Sequence, residues 1–278
     1  MKRAPWFRLV AMLSTACVLA ACAPMPPATP AAPASANAAP LSMLWVGNSF
    51  FYYNNSMHGH VGQLLRGSAE GGRGWRQTSA TISGSGLNWH DMEAHFKPGG
   101  MGSYSFNANN EVIFNTGDRA LPKLFDAVLM MDCSQCPIHP QLGALFVESV
   151  ARDSAIVRRH GAEPILFMSW AYQDAPQMTA ALADAYVKAG AANGARVVPA
   201  GLAFARSLAK RPDIVLHASD KRHPSLAGTY LAAATVMASV YRISPVGDRY
   251  TAGLPADVAA HLQATAAETV RDFEAQRR

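Results

Sequence analysis

Charge is scarce in this chain, and so is cysteine. Only 15% of its 278 residues are charged, 24 basic against 19 acidic, and four are cysteine. Half are hydrophobic, which excludes a chain kept disordered by charge and predicts a packed core. No basic block or stripe marks a nucleic-acid surface. No internal repeat is present, so a solenoid or propeller is excluded. No second C-x-x-C accompanies Cys133 and Cys136, so a four-cysteine zinc site is excluded. The apolar stretch from Leu9 to Ala21 is shorter than the ~20 residues of a stable membrane span.

That stretch has another reading. Lys2, Arg3 and Arg8 precede it, and it ends in Leu19-Ala20-Ala21-Cys22. A positive start, a short apolar run and small residues before a cysteine resemble a bacterial lipoprotein signal. That resemblance implies cleavage before Cys22 and lipid on its sulfur, which would anchor the protein to a membrane; an ordinary secretory signal is the alternative. Ala23, rather than Asp, behind the cysteine points to the outer membrane, facing the periplasm. Residues 1–21 hold three basic and no acidic residues, so without them the formal charge falls from +5 to +2. Residues 22–40 are then a tether. They are almost wholly Ala, Pro and Ser, a composition that stiffens a chain and builds no core. The folded domain is expected over residues 41–278.

With Cys17 in the signal and Cys22 lipidated, Cys133 and Cys136 remain. In an oxidising compartment the favoured expectation is a small disulfide. Free thiols and a redox or metal role are the alternatives.

Beyond residue 40, short apolar runs alternate with longer amphipathic ones. Strands are predicted at Met43–Val46, Thr78–Ile82, Ala127–Met131, Pro164–Met168 and Arg196–Val198, near-continuously apolar as in a sheet covered on both faces. Helices are predicted at Gln141–His160, Thr179–Asn193 (stopped by Asn193-Gly194), Leu226–Tyr241 and Ala256–Gln276. This alternation predicts a parallel sheet between helix layers, a three-layer α/β/α sandwich. Lys97–Arg119, rich in Gly and Asn, interrupts it and reads as a surface loop or small hairpin. In such sheets ligands bind beyond the carboxyl ends of the strands. Those ends gather Gly47-Asn48-Ser49, Ser83–Asn88, Asp132–Pro137 and the loop after Met168.

A nucleophilic serine needs a base, and the base an orienting acid. Ser49 follows the first strand. Asp220 and His223, three residues apart, can share one turn, with Pro224 opening the next helix. The chain order Ser, Asp, His is also that of the α/β-hydrolases, but their G-x-S-x-G elbow is missing. The early Gly47-Asn48-Ser49-Phe50 with Tyr52-Tyr53-Asn54, and the late Asp220-x-x-His223-Pro224-x-x-x-Gly228-x-Tyr230-Leu231-Ala232, resemble the SGNH (GDSL-like) hydrolases, with GNS in place of GDS. The resemblance spans about residues 41–245, and the late block is its more specific part.

The resemblance implies a flavodoxin-like α/β/α domain and a cofactor-free serine esterase or lipase, often acting on O-acetyl groups of sugars. It makes Ser49 the nucleophile, His223 the base and Asp220 its orienter. The oxyanion donors would be the N–H groups of Ser49 and Gly86 (Gly84 as alternative) and a side-chain amide after the third long strand. The family's G-x-N-D is missing there, and Gln135 stands nearest. A lipase or thioesterase, or a non-catalytic glycan-binding lipoprotein, are the other readings. Trp170 and Tyr172 follow the fourth strand and are expected either to line the substrate pocket or to pack in the core. Asn48 is expected to fix the turn. His58 and His60 lack a third metal ligand and are expected on a helix surface, and His90 is expected exposed.

Overall fold

The computed structural model describes residues 39–97, 100, 103–106, 112–115 and 123–277. Residues 1–21, Cys22, most of the 22–40 segment and most of Lys97–Arg119 lie outside them. Along the chain run β1 (Ser42–Gly47), α1 (Ser49–Tyr52), α2 (Met57–Gly67), β2 (Arg76–Thr81), α3 (Met92–His95), β3 (Ser103–Phe106), β4 (Val112–Asn115) and β5 (Ala127–Met130). Then follow α4 (Gly143–Arg159), β6 (Glu163–Phe167), α5 (Met178–Ala192), β7 (Arg196–Val198), α6 (Ala200–Lys210), α7 (Leu226–Val236) and α8 (Ala256–Ala275).

Five strands form one sheet in the order β2-β1-β5-β6-β7, every neighbouring pair parallel. The two-residue period of a strand sorts its side chains onto two faces. Met43 and Trp45 enter one apolar cluster with α2, α6, α7 and α8, while Leu44 and Val46 enter the other with α3, α4 and α5. Leu129 and Val128 divide in the same way. The result is a three-layer α/β/α sandwich. α7 is buried on all sides, from Ala227 to Val236, and its small residues let it fit between the sheet and α8. Gly228 lets it approach closely, since a Cβ there would lie 2.2 Å from the Leu216 carbonyl oxygen.

All five predicted strands are present, within two residues. β2 departs from the expected character: it lies at the sheet edge, half-buried and polar, because only one neighbour covers it. Four helices, α1, α2, α3 and α6, lie outside the predicted ranges, although α2 carries His58 and His60, which were expected on a helix. The predicted Leu226–Tyr241 helix ends its α-helical part at Val236, and Met237–Tyr241 continues as one π-helical turn closed by Arg242 at φ +57°. Inside Lys97–Arg119, β3 and β4 pair as an antiparallel hairpin, with β4 one residue on from the β-like piece Glu111–Phe114 of the sequence. No helix among the described residues is long and apolar enough to cross a membrane.

This strand order sets a switch point. From β1 the chain moves first to one side, to β2, and then to the other, to β5. The loops leaving β1 and β5 diverge there and open a crevice at their carboxyl ends.

Candidate active site

Asn48 joins three of the loops at that crevice. It is extended (φ −134°, ψ −158°) and caps α1, its Oδ1 accepting the Phe50 N–H at 3.1 Å. Its Nδ2 donates to the carbonyls of Ser85 (2.9 Å) and Asp132 (3.2 Å). A single buried amide thus ties together the segments that follow β1, β2 and β5. Ser49 opens α1 immediately after, and its Oγ lies 2.8 Å from His223 Nε2.

His223 sits on the connection between α6 and α7. The Ala218 N–H donates to the His223 carbonyl (2.8 Å) and the Ser225 N–H to the Leu216 carbonyl (2.9 Å), so the two arms of this loop run antiparallel. At its tip Lys221 has φ +63°, a left-handed conformation that costs a non-glycine residue about 1–2 kcal/mol. Three bonds offset that cost: Lys221 N–H to Ala218 O (2.9 Å), Gln173 N–H to Lys221 O (2.9 Å) and Trp170 Nε1–H to Arg222 O (3.0 Å). The turn aims Asp220 at His223. Its Oδ1 accepts the N–H groups of Arg222 and His223, both at 3.0 Å, and its Oδ2 bonds His223 Nδ1. With Nδ1 facing a carboxylate, that nitrogen carries the proton and Nε2 is left to accept from Ser49. Desolvation pulls the Asp220 carboxyl upward, but the bonds from His223 and from the Arg222 and His223 N–H groups outweigh it and hold its pKa at about 2. The carboxylate therefore stays charged across the neutral range.

Two backbone donors in these loops have no internal acceptor: among the described residues, nothing accepts from the N–H of Ser49 or of Gly86. Gly86 lies next to Ser85, which Asn48 holds, and next to Leu87, whose N–H donates to Asp132 Oδ1 at 3.0 Å. A Cβ at Gly86 would stand 2.6 Å from that same Oδ1 and 2.8 Å from Asn88 Oδ1, so the position accepts only glycine without rearrangement. Asp132 also accepts the Cys133 N–H at 2.7 Å; burial is the main cause that pushes its carboxyl upward. Cys133 and Cys136 are joined as a disulfide, with Cα atoms 5.2 Å apart, and both sulfurs are committed to it. Gln135, between them, is exposed, and its side chain bonds none of the described residues; the structure does not link it to Ser49.

Trp170 does not line a pocket. It is 0% exposed, stacked on Phe204 (centroids 4.2 Å apart) and on Phe50 (4.9 Å). Its indole N–H supports the loop that carries His223 instead, because a buried ring of that size needs a partner for its one donor. Tyr172 is half-buried at the rim: its hydroxyl meets Ser134 Oγ at 2.7 Å, and the Arg222 guanidinium lies over its ring. Two aromatics among the described residues are exposed: Tyr52 on α1, and more fully Trp89, 61% exposed on the turn directly after Gly86. Its position three residues past the predicted oxyanion glycine was the signal available in the sequence.

The remaining histidines correct the sequence expectations. His60 is buried on α2, its Nδ1 2.7 Å from the Tyr250 hydroxyl and its Nε2 2.6 Å from the Asn54 carbonyl, so both nitrogens are occupied. His58 packs on Trp45 and, by burial first and His60 second, is held below its ordinary pKa. His90 is also buried, with Nε2 3.1 Å from both Ser85 Oγ and the Gly47 carbonyl. It braces the turn below Ser49 rather than facing solvent.

Comparison with solved structures supports the fold. The chain is similar to a DUF4886 family protein from Bacteroides uniformis (TM-score 0.57, 16% identity, covering 83% of this chain and 94% of that one). It is similar to an SGNH hydrolase candidate from Slackia heliotrinireducens (TM-score 0.51, 24% identity, 73% and 99% covered). It is also similar to a GDSL-like lipase candidate from Parabacteroides merdae (TM-score 0.51, 13% identity, 70% and 93% covered). No protein-family model matches the chain, and no curated protein matches it.

Proposed function

We propose that the protein is a serine esterase that hydrolyses acyl esters, with O-acetyl groups on a carbohydrate as its substrate class. The observation that carries this reading is the continuous hydrogen-bonded line from Ser49 Oγ through the His223 imidazole to Asp220, 2.8 Å at its reacting end. The SGNH-like fold supports it. The exposed Trp89 indole beside Gly86 supports a sugar, since an aromatic face offers a flat apolar surface to a pyranose ring.

In this mechanism Ser49 Oγ attacks the ester carbonyl carbon while its proton passes to His223 Nε2. Asp220 holds the imidazole in register and balances the positive charge it gains. The oxyanion takes the N–H groups of Ser49 and Gly86, with Gln135 proposed as the third donor; one such donor is worth roughly 3–4 kcal/mol in the transition state. His223 then gives its proton to the departing alcohol oxygen. A water, deprotonated by the same nitrogen, attacks the acyl-enzyme and releases the carboxylic acid, returning the proton to Ser49.

The proposal extends to location. Cleavage before Cys22 and lipid on its sulfur would anchor the protein in the outer membrane facing the periplasm, with residues 22–40 as tether and residues 41–278 as the hydrolase domain, within reach of acylated glycans.

The test compares the protein with Ser49→Ala on p-nitrophenyl acetate, butyrate and octanoate and on acetylated xylan. Turnover and fluorophosphonate labelling are expected in the parent and at least about 10³-fold less turnover in Ser49→Ala. Preference for acetate would fit the substrate class. Equal background in both proteins, with no labelling, would sink the esterase reading and leave a glycan-binding lipoprotein.

A further inference from the structure

We propose that Tyr53 is a positioning residue for His223, its ring setting the plane of the imidazole; this rests on the serine-hydrolase reading above. α1 is a single turn, so Ser49 and Tyr53 stand four residues apart on one side of it, with the Tyr53 N–H bonded to the Ser49 carbonyl at 3.2 Å. Side chains at that spacing share a face. The Tyr53 ring lies flat on the His223 ring, centroids 4.1 Å apart and planes 8° from parallel. Phe50 meets the same imidazole edge-on at 5.2 Å and 63°.

The hydrogen bonds alone leave a degree of freedom. Asp220 holds Nδ1 and Ser49 faces Nε2, so both restraints act near the two ends of one ring. Rotation about the line joining those ends is weakly opposed by either bond. A flat aromatic partner opposes it directly, because turning the imidazole breaks the stack. The same face sits against the positive charge that appears when Nε2 takes the Ser49 proton, an arrangement that favours the charged transition state over the neutral ground state. Asn54 fixes the turn behind Tyr53 by donating to the Pro224 carbonyl (2.9 Å) and to Thr229 Oγ1 (2.8 Å), so the stack is held from both the serine and the histidine segments. The Tyr53 hydroxyl bonds none of the described residues, so the ring and not the hydroxyl carries the effect.

The experiment measures kcat, KM and the rate of fluorophosphonate labelling for the full chain and for Tyr53→Phe, Tyr53→Leu and Tyr53→Met, each checked for an intact thermal transition. Met is unbranched and similar in length, and carries the test where Leu fails to fold. Phe is expected within about two-fold of the parent, while Leu and Met lose about ten-fold in kcat and in labelling rate with KM little changed. In a Ser49→Ala background, the His223 ring protons should lie upfield with Tyr or Phe at 53 and move downfield with Leu or Met. Unchanged kcat in Leu and Met, a rise in KM alone, or a loss in Phe as large as in Leu would each overturn the inference while the esterase reading stands. A parent that neither labels nor turns over ester would overturn both.

Discussion

Asn48, His90 and Asp132 hold the loops of the crevice together. Each is buried and each bonds at least one backbone group of a different loop. Asn48 was expected to fix its turn and does so, but its ties to two further loops and the burial of His90 and Asp132 could not be read from the chain, because a polar residue in a loop normally meets water. His90 gives this a measurable sign. Burial, then the nearby His95, lowers its pKa from 6.5 to about 4, against the opposing bond to the Gly47 carbonyl. The folded protein keeps this imidazole neutral, whereas the unfolded chain protonates it near 6.5. Its stabilisation is therefore full above about pH 6.5 and is lost as the pH falls toward 4, on the order of 3 kcal/mol in all. Thermal midpoints measured from pH 7.5 to 4 should fall across that window, with a smaller slope in His90→Gln. A slope equal in both proteins would assign the acid sensitivity elsewhere. Asp220 titrates lower, so its contribution is lost only as the pH drops from 3.8 toward 2.

Among the elements, the sheet strands were legible and the loops were not. Ala127–Met130 and Glu163–Phe167 are covered on both faces and read as apolar runs, whereas α2 and α6 are short, eleven residues each, and neither has a side-chain cap to mark its start. The site lies on the turns, where one residue decides direction: Trp170 and Trp89 both follow strand ends, yet one is packed between Phe50 and Phe204 and the other stands in solvent. Nothing in either local sequence separates them, since the difference lies in what the next layer covers. Trp89→Ala should therefore raise KM for acetylated xylan about ten-fold, the worth of one ring-sized contact, and leave p-nitrophenyl acetate within two-fold. Equal losses on both substrates would place Trp89 in the support of Gly86 instead.

For the molecule as a whole, stability is concentrated at the centre of the sheet. Leu129 on β5 is fully buried between neighbouring strands and helices, while Thr78 on β2 is half-buried at the edge. Leu129→Ala should cost about 2–5 kcal/mol and Thr78→Ala less than about 1 kcal/mol, read from denaturant midpoints at constant m-value. The sequence by itself determined the layer architecture, because the periods of its apolar residues admit few other ways of burying them. It also marked Ser49, Asp220 and His223, because their spacing around a strand end and a helix start is local. Only the tertiary structure decided what surrounds them: that Asn48 and Asp132 bind three loops into one wall, that Tyr53 lies on His223, and that Trp170 is core. Those contacts join residues far apart in the chain (37 positions from Asn48 to Ser85, 84 from Asn48 to Asp132), and distance along a chain carries no record of which surfaces meet when it folds.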